Sequence, residues 1–390
     1  MRRTALLWAG VVAAGILGGC GEADKARPAA AKAAEPAAAA PFAPKLLVST
    51  GIACNTPDGM RLAKWGDMIV ACPNFNTYDE RTKTNKYPGK IMKITPDNEW
   101  VLFSEFPKHP DTGVGCPMGL DFGPDGNLYV ADNQYFYNKD YKSRLIRVKV
   151  KDGKAVGSEV VVEGFKLSNA VMFKGNDVYV SDTFFDIPGK AMSGIYRISL
   201  AEMSKGEPVK LLPKEQAAKD PHCIATWETQ NKAAAVAHRK GEPAGADGLT
   251  FDADGNLYSG DFGDGVMRKV TFKPDGAVAS CKVFVQDWPK MTCVDGIFYD
   301  KARNCIYVAD SEKNAIQVVW LPEGKVTTLW ENGDTDGTGG LLDQPCEPAI
   351  RGNELIIANF DMPFPGLKNT KFDAPYTISV IDVSKLQRPK

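Results

Sequence analysis

"GADGLTFDADGNLYSGDFGDG" (residues 245–265) places two apolar runs on either side of Asp254-Gly255-Asn256. Asp-Gly tolerates positive φ and favours a tight reversal between antiparallel strands. The runs carry the aromatic, aliphatic and Thr content of sheet. Laid over the rest of the chain, the stretch recurs. "CPMGLDFGPDGNLYVADN" (116–133), "LSNAVMFKGNDVYVSDT" (167–183) and "CVDGIFYDKARNCIYVADS" (293–311) match it. "TPDGMRLAKWGDMIVAC" (56–72) and "CEPAIRGNELIIANF" (346–360) are more divergent copies. Further apolar segments follow the copies, such as "RLIRVKV" (144–150) and "AIQVVWL" (315–321).

The first column of the repeat falls at Asp58, Met118, Asn169, Asp247, Asp295 and Glu347, in steps of 60, 51, 78, 48 and 52 residues. A four-stranded unit of this length, six times over, predicts an all-β fold, a six-bladed β-propeller. An all-β sandwich is the rival, but it does not explain six copies with similar ends. The long step holds an insertion (213–245) expected to be helical and to cap the central channel.

The chain has 390 residues and a formal net charge of −1, with both signs interspersed. No basic stripe marks a nucleic-acid surface. At the start, "MRRT" precedes an apolar segment (5–17) too short to span a bilayer. "LGGC" (17–20) follows and resembles a bacterial lipobox, with Cys20 as the lipidated residue; an ordinary secretory signal is the alternative. Residues 21–44 are rich in Ala and Pro and read as a tether. The expected organisation is therefore a signal peptide (1–20), a linker (21–44) and a propeller (45–390). The exported protein would be lipid-anchored, at the outer membrane facing the periplasm.

In a propeller, residues just before each first strand point into one mouth of the channel. Five of the six column residues bear oxygen, all but Met118. Asp and Asn also cap turns through their own backbone, which explains one or two such residues but not five in one repeat position. Converging carboxylates repel unless a cation neutralises them. Carboxylate and amide oxygens suit a hard divalent cation, Ca²⁺ foremost, with Mg²⁺, Mn²⁺ or Zn²⁺ as alternatives.

On these residues the chain resembles the SMP-30/gluconolactonase family, which includes luciferin-regenerating-enzyme-like proteins. Those are six-bladed propellers with a divalent metal held by a Glu, an Asn and an Asp. "SNAVMF…VYVSDT" and "ADGLTFDADGNLY" are similar to the contexts of the family's Asn and Asp, which implies Asn169 and Asp247 as ligands. A Glu followed closely by Pro, as in "CEPAI", implies Glu347 as the third, with blade order shifted by one; Asp58 is the alternative acidic ligand. Met118 stands where the family has a further Asn near the substrate.

The resemblance implies a metal-dependent lactonase or ester hydrolase, working on a small molecule through metal-activated water. Asp247 or Asp295 would take the proton; Asp295 could instead cap a turn. No G-x-S-x-G motif occurs. Of the three histidines, His109, His222 and His238, two lie in the insertion and could reach the site only as part of a lid. A non-catalytic binding or scaffold propeller is the second reading, and a strictosidine-synthase-like or phosphotriesterase-like enzyme a third. The chain is expected to act as a monomer, with its lipid anchor as its membrane contact.

Beyond Cys20 there are eight cysteines, an even number that fits disulfides in an exported protein. Cys54, Cys116, Cys293 and Cys346 lie near the column and could staple the mouth, as Cys54 with Cys116 or Cys293 with Cys346. The pairing is not fixed by sequence.

Overall fold

The computed structural model describes residues 41–390 apart from 80, 231–243 and 365–366. The signal segment, Cys20, most of the linker and His238 lie outside the described residues. Among the described residues no helix is long and apolar enough to cross a membrane.

Six sheets form the blades, antiparallel except for the short strand Val209–Lys210, which pairs in parallel at the outer edge of blade two. Their innermost strands are Met60–Leu62, Pro117–Phe122, Ser168–Lys174, Ala246–Phe251, Ile297–Asp300 and Pro345–Arg351. Each of these neighbours the next, and the sixth returns to the first, so the ring is closed. The closing blade is composite: Lys45–Ser49 pairs with Thr377–Asp382 as its outermost strand. The first and last strands of the fold are thus hydrogen-bonded to each other, which fastens the ring at its seam.

The second strands explain why the repeat is so apolar. Met68–Cys72, Leu128–Asp132, Leu257–Asp261 and Cys305–Asp310 are buried at every position. A blade packs on both neighbours, so both faces of its second strand are covered and the run is continuous rather than alternating. Each fully buried large aliphatic side chain contributes about 1.5–3 kcal/mol.

The turn motif has its own chemistry. In blade two, Asp125 accepts from the Asn127 backbone, the Asn127 amide and the Tyr129 hydroxyl at 3.1, 2.7 and 2.9 Å. In blade four, Asp252 serves Asn256 and Tyr258 in the same way, from two positions earlier in the repeat.

The insertion departs from expectation. Its described residues form a 3-10 segment, Lys214–Lys219, and a strand, Cys223–Glu228, which is the outermost strand of blade three. They complete a blade instead of capping the channel. The apolar face of "CIATW" fits an outer strand, with Trp227 buried.

The expected cysteine pairs do not form. Cys54 bonds Cys72, while Cys116, Cys293 and Cys346 are buried and form no disulfide; the Cys346 Sγ lies 3.3 Å from the Pro57 carbonyl. Cys72 ends the second strand of blade one. In blades two, three and five that place is held by Asp132, Asp182 and Asp310. These carboxylates accept backbone N–H groups of the segment leading into the inner strand, from Cys116, Leu167 and Thr292. Blade one makes the same attachment covalently. Replacing both Cys54 and Cys72 by Ser should lower stability by about 3 kcal/mol, as expected for releasing a loop of this size. Urea denaturation would measure it. An unchanged midpoint would show that the clamp is dispensable.

Candidate functional site

The column residues reach the channel by a local irregularity. The pairing of inner and second strands shifts register at Pro117/Leu120, Ser168/Val171, Ala246/Leu249 and Pro345/Glu347. Such bulges re-aim side chains at sheet ends. Glycine follows the column residue in four blades, at Gly59, Gly119, Gly248 and Gly296. A Cβ on Gly59 would stand 2.6 Å from Gly119 Cα, and one on Gly248 2.6 Å from the Asp295 carbonyl. Inner strands therefore meet backbone to backbone, which draws the column together. Gly248→Ala should cost about 1–3 kcal/mol through forced displacement of the neighbouring strand. A urea midpoint equal to that of the parent would refute this tight seam.

Asp58, Asn169, Asp247, Asp295 and Glu347 line one cavity of about 20 Å³, together with Arg61 and short backbone stretches. That is room for a water-sized occupant or a single ion. Asn169 Nδ2 donates to Asp247 Oδ1 at 2.8 Å. Thr183 donates to the Ala246 carbonyl at 2.6 Å, tying blade three to the residue before Asp247. Ser311 Oγ lies 2.5 Å from Asp295 Oδ2 and 2.7 Å from the Pro345 carbonyl, tying blade five to blade six. Glu347 lies over Gly296: a Cβ there would meet its Oε2. Asn169 and Glu347 stand on opposite sides of the ring, three blades apart.

Met118 is different. Its side chain belongs to the large apolar core cluster, and blade two contributes Gly119 and Leu120 to the cavity instead.

Arg61 was not singled out from the sequence. It lies three residues after Asp58, where the other copies carry Asp121, Met172, Thr250, Phe298 and Ile350. Its Nε sits 3.0 Å from Asp121 Oδ1, and its guanidinium carbon 5.9 Å from the Phe298 ring centre. Asp121 is held in turn by the Phe173 N–H at 2.7 Å. A lone basic residue one step down a repeat column is the signal that could have found it.

The mouth is short of positive charge. Arg61 is paired with Asp121, leaving four carboxylates around one small space. Burial, followed by their neighbours' charge, pushes Asp58 and Asp247 well above the usual carboxylate range. Burial likewise raises Glu347, against the pull of Arg61, and lifts Asp295 to about 7. Carboxylates crowded in this way stay protonated or gather around a cation. The donor set is all oxygen, which fits a hard divalent ion.

The described histidines lie elsewhere. His222 lies near Asp220 and Glu202 at 3.1 and 3.2 Å, by the helix that follows the third strand of blade three. His109 is buried, and its Nδ1 accepts from the Asp111 backbone.

No protein-family model and no curated protein matches the sequence. Solved structures do. A luciferin-regenerating enzyme is similar over 87% of this chain and 95% of that one, at 12% identity and a TM-score of 0.54. The chain shares its fold. A presumed gluconolactonase matches over 87% and 92%, at 13% identity and a TM-score of 0.51. The PQQ-bound aldose sugar dehydrogenase of Streptomyces coelicolor matches over 89% and 99%, at 13% identity and 0.52. The resemblance to the SMP-30/gluconolactonase family is thus matched at the level of fold. Since the third neighbour is a dehydrogenase, the fold does not select the chemistry; the site must.

Proposed function

We propose that the protein is a metal-dependent hydrolase of the SMP-30/gluconolactonase type, acting on a lactone or related ester. One observation carries the reading: four carboxylates and an amide from five blades line one small cavity whose single guanidinium is already paired. Glu347, Asn169 and Asp247 would hold the ion, calcium being the best fit to oxygen donors. When bound, a divalent ion supplies Lewis acidity toward a carbonyl and lowers the pKa of water.

The chain's own residues do the rest. Asp295 is the proton acceptor: Ser311 pins its Oδ2, so the carboxylate is oriented before substrate arrives. Asn169 orients Asp247 through its amide N–H. The cavity is small, so substrate would approach from the mouth and present only its carbonyl end. The lipid anchor at Cys20 belongs to the same proposal, with residues 21–44 as a tether that holds the catalytic domain near a bacterial membrane.

Elemental analysis of protein purified without added metal, followed by a lactone panel with and without chelator, tests this. About one divalent ion per mouth and chelator-sensitive turnover are expected. Turnover that survives complete metal removal would overturn the mechanism. A non-catalytic binding propeller is the second reading. It is favoured by Met118, buried in the core where the family has an Asn that meets substrate. Bound metal without turnover on any lactone would support it.

A further inference from the structure

A second carboxylate cluster sits in blade six, away from the mouth residues. Asp343 precedes the blade's inner strand, Asp361 follows its second strand, and Asp373 lies in the connection to Thr377–Asp382. One oxygen from each lies within 4.8 Å of the other two. Asp343 is 1% exposed and Asp361 2%. Acidic residues often cluster without binding anything, so the partners of these oxygens decide the matter.

Asp361 is partly satisfied, by the Asn369 amide at 3.3 Å and the Asp373 N–H at 3.2 Å. Asp343 is not. Its Oδ1 is buried and accepts no hydrogen bond among the described residues, and the same holds for Asp373 Oδ1. Two buried, unpartnered carboxylate oxygens in one group are costly unless something unseen bonds them. Water could serve one of them, but the negative charge of three carboxylates would remain. Asp334 and Asp336 add to it, while Lys371 offsets Asp373 alone. Without a cation, burial and mutual repulsion push Asp343 up to about 9 and Asp361 to about 8.

We propose that Asp343, Asp361 and Asp373 form a second divalent-cation site, structural in role and able to take calcium. Every candidate ligand is a carboxylate oxygen, with no nitrogen or thiolate in the group, as a hard ion prefers. The three ligands come from separate segments of the blade that closes the ring. There Gly340 packs against Lys45 and Leu46, so closely that a Cβ would meet the backbone of both. A cation would fasten the approach to blade six to its long 360–376 connection, beside the pairing of first and last strands. Tyr376, next to the cluster in chain and field, offers an optical probe.

The test uses calcium alone on chelator-treated full-length protein, reading stoichiometry by calorimetry and thermal midpoint with and without the ion. Asp343→Asn should remove one calcium per chain and abolish the corresponding part of the calcium-induced rise in midpoint. The loss should be the same in an Asp247→Asn background, which separates it from the mouth. In chelator the sign reverses: Asp343→Asn, relieved of a buried carboxylate that must otherwise stay unpaired or take up a proton, should melt no lower than the parent. Terbium luminescence sensitised by tyrosine should fall with the same substitution. If Asp343→Asn does not fold, Asp373→Asn, at a less buried position, is read in the same way. Unchanged stoichiometry and an unchanged calcium shift in these variants would overturn the proposal. So would a parent protein that, with Asp247→Asn in place, shows no calcium response at all.

Discussion

Asp247→Asn is expected to abolish metal-dependent hydrolysis while leaving the fold intact. The substitution keeps size and shape, and Asn can still accept the Asn169 amide through its carbonyl oxygen, now at 2.8 Å from Asp247. What it removes is one charge from a cavity that holds four carboxylates. Losing even an outer partner of a metal ligand lowers affinity or activity by about 10–100-fold. Removal of a ligand should exceed that, so kcat/KM should fall by at least about 10²-fold. Stability should move the other way. In chelator the variant carries less uncompensated charge, so its thermal midpoint should equal or exceed that of the parent. This opposite pair of signs separates a ligand from a merely structural residue, whose loss would lower both. Full lactone hydrolysis by Asp247→Asn would remove Asp247 from the mechanism. Glu347→Gln should behave alike; if instead Asp58→Asn has the larger effect, Asp58 is the acidic ligand.

The fold was legible because the repeat writes the same physics six times. Each second strand is a mainly apolar, largely buried run, and most of the turns carry an Asp or Asn near a glycine. Asn169 and Asp247 were legible for the same reason: laying copies over one another aligns residues that the ring brings together. Direction was less accessible. Met118 shares the column but turns into the core, and nothing in "CPMGL" shows which way it faces. The cysteines failed on the same point. Cys116, Cys293 and Cys346 flank the column in sequence, yet they are buried and form no disulfide across the mouth. The Cys54–Cys72 bond was in fact aligned with a column, that of Asp132, Asp182 and Asp310, whose shared task of clamping the approaching chain appears only from the hydrogen bonds. Arg61 has no counterpart in any copy, and a repeat comparison discards what is not repeated.

Lys214→Met is expected to destabilise the protein by about 3–5 kcal/mol, the usual cost of leaving one partner of a buried ion pair alone. Lys214 is almost wholly buried, at 1% exposure. Its Nζ lies 3.0 Å from Asp182 Oδ2 and 2.9 Å from the Tyr196 hydroxyl, over the Tyr196 ring at 4.1 Å. Methionine replaces the stem but not the charge, so packing is largely kept and the loss reports the stranded carboxylate. Among the described residues Asp182 would keep main-chain donors alone, Leu167 N–H at 2.7 Å and Lys166 N–H at 3.0 Å. Those donors belong to the segment that delivers Asn169 to the mouth. The same substitution should therefore weaken calcium binding at the mouth, although Lys214 does not line the cavity. Adding Asp182→Asn should restore part of the stability, because an amide can still accept one of the two N–H groups without carrying a charge. The double variant should accordingly be more stable than the sum of the single losses predicts. Urea denaturation of the four proteins gives the coupling. A loss below about 1 kcal/mol for Lys214→Met would mean that the buried ion pair contributes little to holding blade three.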